Sequence, residues 1–439
     1  MNPIRKAILF YKKEGFRNTL IRISEKIWEI VSHLPGIIKE KIFLSQYIHQ
    51  IEEKAAEKNV YILIPCIDWN IPIFQRPHQI AVSLAKQPNT HVFFVSDEYR
   101  YDNFSGLSSV NPHLDLLSWR IVKRMGSALK AAKQVTVFMS WLRHAQLLEY
   151  IPYSKLVYEY IDDLSLFYYY TDAMKAKHYE LIREADLTVC TAQALYKDAL
   201  SLAKKVLLSP NAGDYEFFHE NRSCPVEPSL WEKTKNYQCV LGYYGCLASW
   251  FDYDLIIEVA AQKKEWCFVL VGYCFDGTMS RLQEASLDNI ILYPAQPYKS
   301  LPAFASVFDI QTIPFLINEI TKATSPVKLF EYMAMGKPIL TSAMPECLRY
   351  DSVTTYQDTQ DFIRNVYRLL SLRDDAAYRN TMEAEAKANT WDSRVTEILK
   401  ALNGVTKNEN EQVESNERIR HTAGGYQNVS AGEGTAKAP

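Results

Sequence analysis

From residue 59 onward, short runs of apolar, β-branched and aromatic residues alternate with stretches whose apolar positions recur at helical spacing. "VYILIPC" (60–66), "HVFFVS" (91–96), "VTVFMS" (135–140), "LVYEYI" (156–161), "DLTVC" (186–190) and "KVLLSP" (205–210) predict strands. Residues 77–87, 142–150, 172–184 and 192–202 carry the helical period between them. A second series, "CVLGYYG" (239–245), "CFVLVG" (267–272), "IILY" (290–293), "DIQTIP" (309–314) and "KPILTS" (337–342), follows the polar, turn-rich linker "NAGDYEFFHENRSCPVEPS". Apolar strands separated by helices predict parallel sheets covered on both faces. The expected fold class is α/β, with two doubly wound domains over residues 59–212 and 222–390. Open parallel sheets bind ligands beyond the carboxyl ends of their strands, so the expected site is a central cleft between the two domains.

Beyond these domains, "WDSRVTEILKAL" (391–402) predicts one more helix, and the polar tail 404–439 predicts disorder. Residues 1–58 read as a helical, amphipathic extension with 11 Lys or Arg against 7 Glu. Such a segment can lie on an anionic membrane surface. It can equally pack on the protein's own body or self-associate.

The 439 residues, 48% hydrophobic and 13% aromatic, are enough for two cores. A net charge of -2 gives no field to attract nucleic acid. Eight cysteines without a C-x-x-C pair, mostly in apolar runs, read as buried reduced thiols and suit a cytoplasmic protein. No apolar stretch reaches the roughly 18 to 20 residues of a spanning helix, and the N-terminus lacks a signal-peptide pattern. No metal-ligand spacing is evident, and nothing in the sequence sets the oligomeric state.

Candidate chemistry clusters at strand ends. In "TKATSPVKLFEYMAMGKPIL" (321–340), Ser325 can N-cap a helix that Pro326 opens and Gly336 ends. Lys328 and Glu331, three apart, share one face of that helix, while Val327, Phe330 and Ala334 share another. The pair is either an ordinary surface ion pair or a charged face turned into the cleft. After the first strand, "IDWNIPIFQRPHQIAVSLA" puts Asp68, Gln75, Arg76 and His78 at a strand-to-helix turn. His78 there can be structural or functional. "EYIDDLSLFYYY" places Asp162 and Asp163 at the end of the fourth strand, able to orient an acceptor hydroxyl or to cap a helix. Gly242 and Gly245 form a strand-to-helix turn where backbone amides can approach a phosphate, or where glycine serves close packing.

Together, "QRPHQIAVSLA", "YEYIDDLSLF", "READLTVCTAQALY", "SPNAGDYEFF", the glycine turn, "SPVKLFEYMAMGKPIL" and "TWDSR" resemble the GT-B glycosyltransferases of the nucleotide-sugar group that includes capsule, teichuronic-acid and exopolysaccharide enzymes. The resemblance covers about residues 59–400. It implies two Rossmann-like domains: an acceptor domain over 59–212, a nucleotide-sugar domain over 222–390, and a helix at 391–403 crossing back to the first. It further implies that Glu331 holds the ribose hydroxyls and that Ser325, Val327 and Lys328 lie by the diphosphate. Gly245 would admit the donor, and Asp162, Asp163, Arg76 and His78 would serve the acceptor or reaction centre. The implied activity is retaining transfer from a UDP- or GDP-linked sugar, with no separate cofactor, to a glycan or lipid-linked acceptor in cell-surface polysaccharide synthesis. The implied location is cytoplasmic or peripheral on the inner membrane face.

Two departures from the family pattern stand out. Ala323 occupies the place of the first glutamate of the E-x7-E pair, and "CLASWFDYD" lacks the usual Arg and Lys after the glycine turn. Asp252 has the wrong sign to neutralise a diphosphate, which leaves Lys328, Lys322, Arg76 and the helix N-terminus. A sugar-nucleotide epimerase and a catalytically silent GT-B subunit are the rival readings.

Overall fold

The computed structural model describes residues 36–71, 73–96, 101–164 and 170–404. Most of the N-terminal extension, the aromatic run at 165–169 and the tail from 405 onward lie outside the described residues.

The first sheet comprises β1 (Asn59–Ile64), β2 (Thr90–Ser96), β3 (Leu107–Asn111), β4 (Leu114–Ser118), β5 (Gln134–Met139), β6 (Lys155–Tyr160), β7 (Leu187–Cys190) and β8 (Val206–Leu208). Its order is β3-β4-β2-β1-β5-β6-β7-β8. Every neighbouring pair is parallel except β3 with β4. The second sheet comprises β9 (Cys239–Tyr244), β10 (Trp266–Val271), β11 (Ile290–Tyr293), β12 (Ile310–Ile313), β13 (Ile339–Ser342) and β14 (Val353–Tyr356). It is parallel throughout, in the order β11-β10-β9-β12-β13-β14. Central strands are buried on both faces, as their unbroken apolar runs require: β9 and β10 have no exposed residue. The chain therefore forms the two doubly wound α/β units that its hydrophobic pattern predicts.

Several elements depart from the pattern. The antiparallel β3–β4 hairpin is not predicted, because β3 is half exposed and its residues are mostly small or polar. Its turn is tied by Asn111, whose Oδ1 accepts from the His113 amide at 2.8 Å. The edge strand β14, "VTTY", is likewise too polar to announce itself. Residues 142–150 form 3-10 turns broken at His144 rather than an α-helix. The linker holds two short helices, Tyr215–Glu220 and Pro228–Thr234. The first is capped by Asp214, which accepts from Phe217 N at 3.3 Å, and anchored by the buried Phe218.

Four helices brace the two sheets or cross between them: α1 (Leu44–Ala55), α2 (Arg76–Ala85), α3 (Val327–Met335) and α4 (Trp391–Leu402). α1 buries Tyr47, Ile51 and Ala55 against the first sheet. Its Lys54 pairs at 2.9 Å with Asp115, which also takes His91 at 2.6 Å. α4 follows the second domain in sequence but packs on the first, where Trp391, Val395 and Ile398 join the core that holds Ile80, Ala81 and Leu84 of α2. Asp392 accepts from Ser83 Oγ at 2.6 Å and pairs with Lys86 at 2.9 Å. The exposed ion pair is worth about 0–1 kcal/mol. Each buried large side chain is worth about 1.5–3 kcal/mol, so burial decides where α4 sits.

Candidate functional site

In each sheet the strand order reverses at one point, and such a switch point leaves a crevice at the carboxyl ends of the strands. In the second sheet the switch lies between β9 and β12, which end at Tyr244 and Ile313. Gly245 follows β9 with φ +141°, a conformation that disfavours any side chain. A Cβ there would fall 2.8 Å from Cε of Lys328 and 3.0 Å from the Tyr243 hydroxyl. The ammonium of Lys328 lies over the rings of Tyr243 (5.2 Å) and Phe315 (5.1 Å), so it stands in the crevice itself. It has no hydrogen bond or ion pair among the described residues. Burial lowers its pKa, opposed by the negative charge of Glu331.

Glu331, one turn further along α3, is 4% exposed. Its Oε2 accepts from the Tyr244 hydroxyl at 2.8 Å. Burial pushes its pKa up to about 7, aided by Asp214 and opposed by Tyr244, Lys328 and Tyr298. Lys328 and Glu331 do not form the surface ion pair that their spacing allows. α3 has Pro326 rather than Ser325 as its N-cap, with no side-chain cap, and ends at Gly336 with φ +70°. Ser325 instead faces the linker, where its Oγ accepts from Asn211 N at 3.1 Å and its carbonyl from Asn211 Nδ2 at 2.7 Å. Val327 packs half-buried against the first domain's core, and its amide belongs to the first turn, which has no intrahelical acceptor.

In the first sheet the switch lies between β1 and β5. A cavity of about 160 Å³ opens there, lined among others by Cys66, Ser140, Trp141, Tyr160 and Asp162. Solvent reaches the Asp162 side chain, yet the surrounding walls strip its hydration. That desolvation, with Asp163 beside it, pushes its carboxyl up to about 6. The Cys66 thiol in the same cavity is pushed up to about 12, by desolvation first and then by Asp162. The charge of Asp163 also acts on Tyr160, Tyr170 and His178.

Arg76 and His78, expected at the acceptor or reaction centre, do not line this cavity. Arg76 is 2% exposed. Its Nε donates to Glu159 at 2.9 Å and its Nη1 to the carbonyls of Ser209 (3.1 Å) and Pro210 (3.3 Å). It clamps the exit of β8 to β6. Removing one partner of such a buried pair costs about 3–5 kcal/mol, so its role is structural. His78 is fully buried, and both ring nitrogens are engaged: Nδ1 accepts from Gln75 N and Nε2 donates to the Asp68 carbonyl, each at 3.0 Å. It stacks between Phe74 and Phe94, and burial keeps it neutral by lowering its pKa. The remaining diphosphate candidate, Lys322, is paired with Glu319 at 2.8 Å. Asp252 caps the helix at 253–262, accepting from Leu255 N at 3.0 Å. Ala323 is buried in the core of the first domain.

The two crevices belong to one closed arrangement. A Cβ on Gly213 of the linker would lie 2.9 Å from the Phe330 carbonyl carbon, so only glycine lets the linker touch α3. Gln79 of α2 donates to the Tyr298 hydroxyl at 3.3 Å, and Glu346 accepts from Gln193 N at 2.7 Å. Tyr244, Tyr298, Asp214 and Cys66 are site residues that sequence reasoning does not single out. Tyr244 and Cys66 lie inside predicted strand runs, and strand-end position is the one signal that could have found them.

Sequence comparison bears directly on the second switch point. Residues 239–372 match the model of the family described as glycosyl transferases group 1. That stretch of the chain is therefore similar to group 1 glycosyltransferases. It is 27% identical over 238 residues to TuaH of Bacillus subtilis (strain 168), a protein named as a glycosyltransferase of teichuronic acid biosynthesis. That match takes in 52% of this chain and 59% of the relative, so the chain spans about three-fifths of the relative's length. Anabaena HepE, solved in complex with UDP and glucose, superposes with a TM-score of 0.56 at 13% identity, covering 79% of this chain and 100% of that one. Sucrose-phosphate synthase from Thermosynechococcus elongatus gives a TM-score of 0.53 at 14% identity, covering 84% of this chain and 100% of that one. At such identities the two structures speak for the fold alone. The matched residues form most of the second half of a GT-B fold.

Proposed function

We propose that this protein transfers a sugar from a UDP- or GDP-linked donor to a glycan or lipid-linked acceptor in cell-surface polysaccharide synthesis, with retention of configuration. One observation carries the reading: a buried carboxylate, Glu331, and a cation unpaired among the described residues, Lys328, stand on one helix face at a switch-point crevice. A carboxylate accepts hydrogen bonds from both ribose hydroxyls, and an ammonium with α3's first-turn amides, including that of Val327, neutralises a departing diphosphate. Gly245 leaves the donor room to approach. The nucleotide-sugar is a substrate, and no resident cofactor is invoked.

The acceptor enters the first domain's cavity, of a size that holds one six-membered ring. There Asp162 orients or deprotonates the attacking hydroxyl, with Asp163 holding it near a second negative charge. Only ionised Asp162 can accept that proton. Transfer is therefore expected to rise with pH through about 6 in a pH–rate profile, and Asp162→Asn to lose this limb and slow transfer about a hundredfold. An unchanged profile in the variant would remove Asp162 from the reaction. Assay with a panel of nucleotide-sugars separates the rivals: transfer supports this reading, interconversion of sugars supports an epimerase, and binding without turnover supports a silent subunit.

An anionic membrane surface is the proposed second partner. Among the described residues no helix is long and apolar enough to cross a membrane. The start of the described chain nevertheless exposes Ile38, Ile42 and Phe43 beside Lys39 and Lys41. Co-sedimentation with phosphatidylglycerol vesicles is expected for the full chain and lost in an Ile42→Glu, Phe43→Glu variant. Equal sedimentation of both proteins would reject that surface.

A further inference from the structure

Just past the carboxyl end of β4 the chain makes one turn of helix, Trp119–Val122, in the stretch "WRIVKR". Ile121 and Val122 are buried and hold the turn to the core, while Arg120 and Lys123 stay half-buried and Arg124 is exposed. Two of these cations lie over one ring: Arg120 Cζ is 5.1 Å and Lys123 Nζ 5.0 Å from the Trp119 centroid. The same ammonium is 5.8 Å from the ring of Tyr150. Arg120 has a carboxylate, Glu40, at 3.7 Å. Lys123 and Arg124 have no ion pair and no side-chain hydrogen bond among the described residues, and the exposed Glu149 beside Tyr150 pairs with neither. An aromatic face attracts a cation without neutralising it, so the cluster keeps a surplus of positive charge. Two features flank it. On one side, Glu40 ties Arg120 to the helical residues 36–42, where Ile38 and Ile42, with Phe43 after them, are exposed. On the other, the Trp119 ring faces that of His144 at 6.5 Å, and His144 N donates at 3.2 Å to the carbonyl of Trp141, a wall of the first domain's cavity.

We propose that Lys123 and Arg124 bind the phosphate or diphosphate group of a lipid-linked acceptor, whose hydrocarbon chain lies along Ile38, Ile42 and Phe43 and whose sugar enters the cavity of Asp162. The inference rests on the reading of that cavity as the acceptor site. Its argument is the order of features along the surface: exposed apolar side chains, then uncompensated cations, then a cavity that holds one sugar ring. A lipid-linked glycan has the same order of tail, phosphate and sugar. Phosphate oxygens accept charge-assisted hydrogen bonds from an ammonium and a guanidinium, and the Trp119 and Tyr150 rings keep water from one side of the ammonium, which strengthens the attraction. Lys39 and Lys41 already supply charge for bulk anionic headgroups beside the apolar residues; Lys123 and Arg124 stand on the cavity side of that helix. Holding the phosphate there, away from the reacting hydroxyl, turns the sugar's approach to Asp162 into an oriented one.

The test is titration calorimetry of the full chain with farnesyl diphosphate, kept below its micelle concentration, with inorganic diphosphate as the second probe. The proteins are the parent, a Lys123→Gln, Arg124→Gln double variant, and Lys328→Met as the control for binding at the donor crevice; melting monitors the fold. The parent is expected to bind farnesyl diphosphate at least about tenfold more tightly than inorganic diphosphate, because the chain adds buried apolar area. The double variant should lose about ten- to a hundredfold of that affinity, the worth of charge-assisted hydrogen bonds, and Lys328→Met should lose none. A parent that does not bind farnesyl diphosphate, a double variant that binds it like the parent, or a loss confined to Lys328→Met would overturn the proposal. Should the double variant fail to fold, Lys123→Gln alone decides: weakened binding supports the site and parental binding rejects it. Phosphatidylglycerol vesicles distinguish the source of the phosphate. They should sediment the parent and the double variant alike; a variant that lost the vesicles but kept farnesyl diphosphate would make the cluster a headgroup site and reject the acceptor's phosphate. Asp162→Asn separates the two levels, since farnesyl diphosphate carries no sugar. If that variant transfers sugar like the parent while farnesyl diphosphate still depends on Lys123 and Arg124, the cavity reading falls and the phosphate site stands; if it slows transfer while the double variant binds like the parent, only the phosphate site falls.

Discussion

Glu331→Gln is expected to weaken nucleotide binding at least about a hundredfold while relieving the ligand-free protein of a penalty above neutral pH. The binding loss follows from two hydrogen bonds to a charged acceptor, each worth about 1.5–3 kcal/mol. The stability effect follows from burial. The carboxyl titrates near 4.5 when unfolded and is pushed up to about 7 in the folded protein. Between those values the folded state binds the extra proton, so stability falls as pH rises and the loss is complete above about 7. The span corresponds to roughly 3 kcal/mol. Glutamine carries no such proton. Urea unfolding of the two ligand-free proteins should therefore shift in the variant's favour by about that amount between pH 4.5 and 8. A parallel pH dependence in the two would mean that the carboxyl is not titrating in the folded crevice. The parent's nucleotide affinity should rise with pH through about 7, because hydroxyl donors favour the ionised form.

Lys328→Met should separate the two ends of the nucleotide. With the ammonium gone, UDP is expected to bind about ten- to a hundredfold more weakly, while uridine, which has no phosphate, is unaffected. Glu331→Gln should weaken both. Gly245→Ala should resemble Lys328→Met, since the new methyl group falls 2.8 Å from Lys328 Cε at a φ of +141°. The double variant should be little worse than Lys328→Met for UDP, because both substitutions act on one ammonium. Titration calorimetry with UDP and uridine measures all of these. Equal losses for the two ligands in Lys328→Met would move the lysine away from the diphosphate.

The repeated apolar strands were legible because a central parallel strand buries both faces and so writes its whole length in Val, Ile, Leu and Phe. β3 and β14 were not, because edge strands are half solvated and carry Ser, Thr and Asn. Lys328 and Glu331 were legible as a same-face pair, and resemblance supplied their reading. Arg76 and His78 show the limit of local reasoning. A charged residue at a strand-to-helix turn looks alike whether it meets a substrate or a partner such as Glu159, which lies 83 positions away. Ser325 has a good capping identity, yet the linker's Asn211 claims its hydroxyl. Tyr244 was hidden for a related reason: in sequence it is a core aromatic at a strand end, and only the fold brings its hydroxyl to Glu331.

The central claim is that Glu331 grips the ribose, and a binding cycle measures this directly. It compares UDP with 2′,3′-dideoxy-UDP, or the guanine pair if only that nucleotide binds, in the parent and in Glu331→Gln. The parent should prefer the ribonucleotide by about a hundredfold, and the variant should bind both forms equally weakly. A variant that kept the parent's preference would contradict the account.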